Sequence, residues 1–476
     1  MNWKTGIIVI MRRFFNHRAW YTIASAIFIL VGTLIAIQYA KGNIRMTRDG
    51  FVRNAGLLAA NSFPTGAEVI IDGKLVTATD DTLYLEPGQY EVELVKDGFV
   101  PWKKLMTIEQ ELVTQTNARL FPSAASFSPL TFTGVTNISP SPDGQKIIYY
   151  SNTATSERKN GLYLLELSTS ALPIQRGPRQ ITTDLPSFQL SDAQFIWSPD
   201  SSEVILITPT REVLLSIERL NDLTIEPDIS FRKRQILTEW EEEMYVRERQ
   251  FLTQFPLEIV EIATQSAKNV YLSPDKKRLL YTATASATIP DTIVPPLPST
   301  NRHPEERTLA VGGIYVYDRE EDKNFRVGTE KPVAPQDADD QNTQQSNQLN
   351  PQQLSREKQL LVRDVFVDAA QLRTATSGAF TSLQATQSAQ TADNFTTYHS
   401  SLYANTFQWF PDSKHLLFAE ENTIKVMGYD STNVTTIYSG PFSENFLYPW
   451  PDGNRLLIIA SFSPDVPHNL YAIELK

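Results

Sequence analysis

One uncharged stretch near the N-terminus constrains this chain more than any other feature. Residues 19–40 read AWYTIASAIFILVGTLIAIQYA, with Arg18 and Lys41 on either side. As a helix rising about 1.5 Å per residue, the stretch would span about 33 Å, enough to cross a hydrocarbon core of about 30 Å. The sequence therefore predicts one transmembrane helix at residues 19–40, which ties a large soluble body to a lipid bilayer.

A secretory signal peptide is the alternative interpretation of this stretch, because the region before it is basic. The uncharged run is longer than the usual signal core of about 7–15 residues, and the residues after it, Lys41–Arg45, do not form a small-residue cleavage site. Trp20, Tyr21 and Tyr39 lie near its ends, where aromatic rings favour the membrane interface. We therefore favour a retained anchor.

The charges that flank the stretch do not orient it. The predicted N-terminal tail, residues 1–18, has four basic side chains and no acid, and residues 41–53 have four basic side chains against Asp49 alone. The positive-inside rule compares these two flanks, which nearly tie. We expect the tail in the cytoplasm and the body outside, an expectation that rests on the family resemblance described below. The flanking charges do not oppose it, because large domains cross a membrane with little regard to them.

The net charge and the amino-acid composition exclude several classes of function. Residues 1–53 have a net charge of +7 and the whole chain has −11, so the body after them carries −18. An acidic body does not bind nucleic acid by neutralising its phosphates. The chain has no cysteine, which excludes disulfides, thiolate nucleophiles and cysteine-bound zinc.

Residues 62–122, after a linker at 41–61, alternate as half-buried strands do. Tyr90, Val92 and Leu94 alternate with glutamates, which is the period of a strand with one buried face. Asp72-Gly73 and the Pro-Gly pair at 87–88 are turn signals between strands. The pattern predicts a small antiparallel β-sandwich.

Three blocks of this region resemble the PEGA domain family. Phe63–Gly73 (FPTGAEVIIDG) is similar to the opening of that domain, and Leu85–Val92 (LEPGQYEV) to its central core. Lys96–Phe99 and Trp102 match its closing block, whereas residues 77–82 depart from the usual Gly-x-Thr-Pro segment. The resemblance implies a β-sandwich commonly found outside the cytoplasm or tethered near a cell envelope, and it implies no catalysis.

A Pro-Asp tetrad recurs five times in residues 123–476, and an apolar strand follows each copy. The tetrads are Ser141–Gly144, Ser198–Ser201, Ser273–Lys276, Phe410–Ser413 and Trp450–Gly453. Proline presets the backbone of a turn and aspartate supports it, so the tetrad predicts a tight corner between two strands. A sheet of a few such strands cannot bury both faces alone, so repeated sheets pack around a channel as propeller blades.

This repeat resembles the WD40-like repeat of TolB-type propellers, whose signature is W-S-P-D-G followed by an apolar strand. The resemblance implies a β-propeller of five to seven blades that binds protein, peptide or glycan. The Asp-to-Asp spacings are 57, 75, 137 and 40 residues. Only the last is close to a bare blade of about 40–50 residues, so the longer spacings hold insertions or an unmarked blade. The predicted fold class is therefore mainly β, with one helix, a sandwich and a propeller.

Two insertions differ from the strand pattern. Residues 239–252 read as a helix with Trp240, Met244 and Phe251 on one face, which either packs on the side of the propeller or docks a partner. Residues 329–358 are rich in Gln, Asn and Asp and nearly free of aliphatic side chains, which predicts a disordered loop.

The sequence offers no catalytic, cofactor or metal site, and it does not identify ligand-binding residues. It has no nucleophile elbow and no phosphate-binding loop. The histidines, which are scattered, are His17, His303, His399, His415 and His468. His415 reads as a surface turn residue, and the aspartates of the five tetrads read as parts of their turns.

We therefore expect a non-enzymatic, single-pass protein of the cell envelope whose propeller binds a protein, a peptide or an envelope polysaccharide. One alternative is a propeller enzyme of the lyase or glycosidase type, which would need acids or a metal set in the central channel. A second alternative is a cytoplasm-facing membrane scaffold.

Overall fold

The computed structural model describes most of the body and the apolar helix. The described residues are 17–40, 44–47, 50–53, 55–154, 156–167, 177–295, 301, 303–330, 407–443, 446–463 and 466–476. The predicted disordered loop at 329–358 lies outside them apart from its first two residues, as does most of the predicted cytoplasmic tail. The chain divides into two compact units, Met1–Asp97 with Pro101–Leu120, and Gly98–Val100 with Phe121–Lys476.

The predicted apolar stretch forms a single helix, α1, at His17–Ala40. Its side chains from Trp20 to Ile37 are exposed along their whole length, and this stretch is long and apolar enough to cross a membrane. A membrane anchor and a signal sequence share this form. A short hairpin of β1 (Ile44–Thr47) and β2 (Gly50–Arg53) follows it.

The rest of the first unit is a small β-sandwich. Its strands are β3 (Gly56–Ala60), β4 (Ser62–Phe63), β5 (Glu68–Ile71), β6 (Lys74–Ala78), β7 (Asp81–Leu85), β8 (Gly88–Val95), β9 (Trp102–Ile108), β10 (Val113–Gln115) and β11 (Ala118–Arg119). One antiparallel sheet has the order β6-β5-β8-β9, and the others are β10-β3-β7 and β11-β4. The alternation predicted a buried face, and Val69, Val92 and Leu94 are fully buried.

The sequence pattern predicts an antiparallel sandwich, and the structure differs from this prediction in two strand pairs. Strand β10 pairs with β3 in parallel, and β11 pairs with β4 in parallel. These parallel pairs join strands from the beginning of the unit to strands from its end, and the paired residues are more than fifty positions apart in the sequence. A local turn pattern reveals only hairpins, which are always antiparallel.

The second unit is a β-propeller with five blades in the residues that the structure describes, which confirms the predicted fold class. Blade 1 has the order β13-β14-β15-β16, blade 2 β17-β18-β19, blade 3 β20-β21-β24-β25, blade 4 β26-β27-β28-β29 and blade 5 β30-β31-β32-β12. Strands of blades 1 and 2 are β13 (Thr136–Pro140), β14 (Lys146–Ser151), β15 (Gly161–Glu166), β16 (Arg179–Thr183), β17 (Gln194–Trp197), β18 (Glu203–Ile207) and β19 (Glu212–Ser216).

The other blades continue the series, and a small hairpin, β22 with β23, interrupts blade 3. Their strands are β20 (Ala267–Leu272), β21 (Arg278–Ala283), β22 (Ala287–Thr288), β23 (Thr308–Leu309), β24 (Gly313–Asp318), β25 (Lys323–Thr329), β26 (Gln408–Trp409), β27 (His415–Glu420), β28 (Thr423–Gly428), β29 (Thr435–Ser439), β30 (Leu447–Pro449), β31 (Arg455–Ala460) and β32 (Asn469–Glu474).

The ring is closed by a strand from the beginning of the unit. Strand β12 (Ser126–Pro129) pairs antiparallel with β32, so that Ser126 lies opposite Glu474. Blade 5 is thus built from both ends of the unit. This pairing covers the outer edge of β32 and joins residues nearly 350 positions apart.

Apolar clusters between blades give the order of the ring. Each of four clusters holds buried residues from two neighbouring blades. One pair of residues represents each cluster: Ile148 and Trp197 (blades 1 and 2), Leu280 and Leu416 (blades 3 and 4), Leu417 and Leu456 (blades 4 and 5), and Leu457 and Ile147 (blades 5 and 1). Consecutive residues such as Ile147 and Ile148 face opposite neighbours. The second strands are therefore continuous apolar runs, because both of their faces are covered.

Two helices cover the facing surfaces of blades 2 and 3. Helix α2 (Lys233–Leu252) packs Ile236, Leu237 and Trp240 against Ile205 of blade 2. Helix α3 (Leu257–Gln265) packs Ile259 and Val260 in a cluster with blade 3. The 75-residue spacing between the second and third tetrads is thus filled by helices, and α2 begins at Lys233 rather than at the predicted residue 239.

Blade 2 has three strands, and an irregular segment stands in place of a fourth. The Asn221 side chain donates to the Ser216 carbonyl at 2.8 Å and accepts from the Ser216 N–H at 3.1 Å. At the other end of β19 the Ile229 N–H donates to the Glu212 carbonyl. The buried side chains of Leu223 and Ile229 complete the packing, so this edge is partly covered without a strand.

Candidate binding site at the axial mouth

The five Pro-Asp turns lie at one rim of the propeller, where each joins the innermost strand of its blade to the next strand. Hydrogen bonds link some of the turns directly. The Asp143 N–H donates to Ser201 Oγ at 3.2 Å, and Lys146 Nζ donates to the Ser201 carbonyl at 2.9 Å. The turns of blades 1 and 2 are therefore joined to each other and are not independent loops.

Blades 3 and 4 repeat the same link. The Asp275 N–H donates to Ser413 Oγ at 3.0 Å, and Arg278 donates to the Ser413 carbonyl at 3.0 Å. Ser201 and Ser413 are buried and have positive φ, as the glycines Gly144 and Gly453 do at the same turn position. Serine in place of glycine thus supplies a hydroxyl that joins two blades.

The turn carboxylates are used inside their own turns. Asp143 accepts from Ser141 Oγ at 2.5 Å and from the Gln145 N–H at 2.9 Å. Asp200, Asp275, Asp412 and Asp452 likewise accept backbone N–H groups two residues further on. The Ser198 hydroxyl lowers the pKa of Asp200 below its usual value. These acids build corners and do not converge on a ligand.

His415 is buried and not, as the sequence indicated, a surface turn residue. It begins β27, and its Nδ1 lies 2.8 Å from Asp412 Oδ2. The rings of Phe121 and Phe410 meet it edge to face, with centroids at 5.7 and 6.4 Å. The fully buried Leu416 and Leu417 that follow it lie in the core, and the imidazole packs beside them and supports the turn from within.

A cavity of about 370 Å³ opens among these turns. Blades 1, 3, 4 and 5 line it with Asp143, Gly144, Tyr271, Leu272, Pro274, Phe407, Gln408, Trp409, Pro411, Tyr448, Pro449 and Pro451. We call it the axial mouth. Aromatic rings and prolines dominate its wall, and few polar groups interrupt them.

The aromatic side chains of the axial mouth are held by neighbours. Trp409 Nε1 is 3.4 Å from the Tyr271 carbonyl, and the Phe407 ring lies 4.8 Å from that of Phe418. Burial raises the pKa of Tyr271 to about 12, so its hydroxyl stays neutral at physiological pH. A Cβ on Gly144 would lie 2.9 Å from Tyr448 Oη, so glycine leaves room here for the tyrosine hydroxyl, and its φ of +73° costs it nothing.

The axial mouth is suited to binding by shape and apolar contact. Asp143 is the one carboxylate among its described lining residues, and the turn already uses it. Across the described part of the chain, no group of three or more His, Cys, Asp or Glu side chains could hold a metal ion.

The sequence pattern did not predict this lining. Trp197 and Trp409 each directly precede a tetrad, but the two differ in role. Trp197 is buried between blades and donates to Ser139 Oγ at 3.1 Å, whereas Trp409 reaches the cavity. The recurrence of an aromatic residue at this position was the available signal, and the sequence could not separate the two environments.

Comparison with known proteins supports the sandwich directly. Residues 55–124 match the family model of the PEGA domain. No curated protein matches the sequence.

Solved structures with similarity to this chain include TolB proteins. A putative TolB from Agrobacterium tumefaciens is 14% identical with a TM-score of 0.19, covering 71% of this chain and 73% of that one. TolB from Acinetobacter baumannii is 13% identical with a TM-score of 0.15, covering 81% and 60%. Hydrazine synthase of Kuenenia stuttgartiensis is 10% identical with a TM-score of 0.17, covering 73% and 65%. TM-scores this low carry no functional argument, so the architecture rests on the sheets themselves.

Proposed function

We propose that this chain is a membrane-anchored, non-enzymatic envelope protein whose propeller binds an extended segment of a partner protein at the axial mouth. The observation that carries the proposal is the wall of aromatic rings and prolines, together with turn carboxylates already used in their own turns. Grooves lined by aromatic rings suit extended, apolar or proline-containing peptides, which are ordered at low entropic cost.

The anchor and the outside placement of the body rest on two observations. Helix α1 is exposed along an apolar length that matches a bilayer. The PEGA match adds a domain of a kind commonly tethered near an envelope. The helix would hold the propeller close to envelope components, so that even weak binding gains from high local concentration.

Site-directed labelling tests the topology, because the chain has no cysteine of its own. Thr436, an exposed residue of β29, is replaced by cysteine in one variant, and Asn2 in the other. A membrane-impermeant maleimide should label Thr436→Cys on intact cells and Asn2→Cys only after lysis. The reverse pattern would support a cytoplasm-facing scaffold, and a mature chain that lacks residue 2 would indicate a cleaved signal peptide.

Photo-crosslinking tests the partner. A benzoylphenylalanine at Gln408 in the axial mouth should crosslink to a protein in intact cells, and mass spectrometry should map the adduct to an extended segment. The same group at Thr436, on the outer strand, is the matched control. Trp409→Ala should reduce the adduct. Equal yields at both positions, or adducts with glycan only, would contradict the proposal. Turnover of a glycan by the purified chain would instead favour the enzyme alternative.

A further inference from the structure

A second concave surface lies at the rim opposite the Pro-Asp turns. The loops between the second and third strands of each blade end at this far rim. Two cavities of about 880 and 540 Å³ adjoin here and share Ser461 and His468. They extend over blades 1, 4 and 5, and we call them together the far-rim groove.

The far-rim groove presents exposed aromatic and aliphatic side chains. Phe132 is 77% exposed, Phe462 52% and Val466 45%. The Phe462 ring meets Tyr471 and Phe127 edge to face, with centroids at 5.0 and 5.9 Å. The Phe462 ring is thus held in place by two aromatic neighbours, while about half of the side chain remains exposed to a ligand.

The polar side chains of the groove are mostly hydroxyls, together with the Asn422 amide and the His468 imidazole. The Ser461 hydroxyl lies 2.7 Å from the carbonyl oxygens of both Ser463 and Val466 and shares its single proton between them, which leaves its oxygen as an acceptor. Among the described lining residues, His468 is the one ionisable side chain, and there is no Lys, Arg, Asp or Glu. Glu444 and Asp465, which adjoin the groove in sequence, are acidic and lie outside the described residues.

We propose that the far-rim groove binds an uncharged oligosaccharide. A sugar ring has an apolar C–H face, which would stack on Phe132 and Phe462, and hydroxyls that both donate and accept hydrogen bonds. Neutral hydroxyls, an amide and an imidazole match those hydroxyls, whereas an anionic glycan would meet no described cationic side chain.

Isothermal titration of the full-length protein in lipid nanodiscs tests the site. The probes are hexamers of glucose in α-1,4 and β-1,4 linkage, of mannose and of N-acetylglucosamine, with hexagalacturonate as the acidic comparator. At least one neutral hexamer should bind with a Kd below about 10 mM, and hexagalacturonate should bind at least about 10-fold more weakly.

Exposed phenylalanines provide matched variants, because truncating an exposed ring leaves the core intact. Phe132→Ala should weaken binding at least about 10-fold, and Phe462→Ala should act in the same direction. Phe231→Ala, which removes a fully exposed ring outside the groove, should change the Kd less than about 2-fold. Trp409→Ala separates this site from the axial mouth, since it should leave saccharide binding unchanged.

The proposal is overturned if no neutral hexamer binds below that limit, or if hexagalacturonate binds as tightly. It is equally overturned if Phe231→Ala weakens binding as much as Phe132→Ala does. A failed crosslink at Gln408 would not change the result of this titration, so the two binding sites are tested independently.

Discussion

Ser201 and Ser413 show how one atom can change the role of a repeated turn. At the same position two other turns have glycine, Gly144 and Gly453, which accepts positive φ at no steric cost, and the remaining turn has Lys276. The two serines tolerate the strained backbone, and each hydroxyl accepts an N–H from the turn of a neighbouring blade. A local cost is thereby exchanged for a contact between blades.

Substitution of Ser413 should separate the hydrogen bond from the backbone strain. Ser413→Ala removes the acceptor of the Asp275 N–H at unchanged φ and should lower the free energy of unfolding by about 1.5 kcal/mol. Ser413→Gly loses the same bond but relieves the strain, so its cost should be smaller by about 1 kcal/mol. Urea unfolding followed by tryptophan fluorescence measures both, with the exposed Ser439→Ala as the control. Glycine that proves as harmful as alanine would show that strain plays no part.

The Ser198–Asp200 pair predicts a pH-dependent contribution to stability. The Ser198 hydroxyl, 2.6 Å from Oδ1, lowers the pKa of Asp200 from its usual value of 3.8. A carboxyl whose pKa is lower in the folded state stabilises it above the unfolded pKa, and this stability is lost as the pH falls through the folded pKa.

Ser198→Ala should therefore cost more stability at pH 7 than at pH 3. Urea midpoints at both pH values measure the difference. In an Asp200→Asn background the cost of Ser198→Ala should no longer vary with pH, because the carboxyl is absent. A pH-dependent cost that persists in that background would assign the effect to another group.

Helices α2 and α3 show how an element can fill space that a repeat leaves open. The face of blade 2 away from blade 1 is apolar through Ile196 and Ile205, and it would be exposed without α2. Trp240 is 9% exposed and packs into this cluster. The charged side of the helix has few apolar residues, so burial of one stripe holds it in place.

Truncation of Trp240 tests whether α2 supports blade 2. Trp240→Ala should lower the free energy of unfolding by about 3 kcal/mol, because a large side chain leaves a cavity between helix and sheet. Val246→Ala on the exposed side of α2 should change it by less than about 0.5 kcal/mol. Thermal denaturation of both variants measures the contrast, and equal melting temperatures would show that the helix rests on the blade without stabilising it.

At the scale of the whole molecule, the pairing of β12 with β32 links the first strand of the propeller unit to its last strand within blade 5. Blade 5 packs on blades 4 and 1 through apolar clusters, so opening this seam also exposes apolar surface of its two neighbours. Ser128 lies opposite Ala472 in this seam, and no native thiol competes for oxidation.

A crosslink across the seam should therefore stabilise the propeller. With Ser128→Cys and Ala472→Cys, oxidation closes a loop of most of the unit and should raise the free energy of unfolding by up to about 5 kcal/mol. Non-reducing gels confirm the bond, and urea midpoints with and without reductant give the gain. An oxidised form that unfolds no later than the reduced form would show that the seam is not where unfolding begins.

The sequence alone determined the elements whose signals are local. An uncharged run marked α1, a period of two with Asp-Gly and Pro-Gly turns marked the sandwich strands, and the tetrads marked a corner in each of the five blades. These signals are readable because turn chemistry and strand alternation depend on neighbours a few residues apart. The sequence did not predict the parallel pairs of the sandwich or the start of α2, because the residues that these elements contact lie elsewhere in the chain.

Only the tertiary structure decided what the blades make together. The fourth strand of blade 5 depends on β12 meeting β32, and the place of the helices depends on which apolar faces are left uncovered. The axial mouth brings Tyr271, Trp409 and Tyr448 to one wall, and the burial of His415 depends on Phe121 from far along the chain. Contacts between residues this distant follow from ring closure and the packing of blade on blade, which no local pattern of residues encodes.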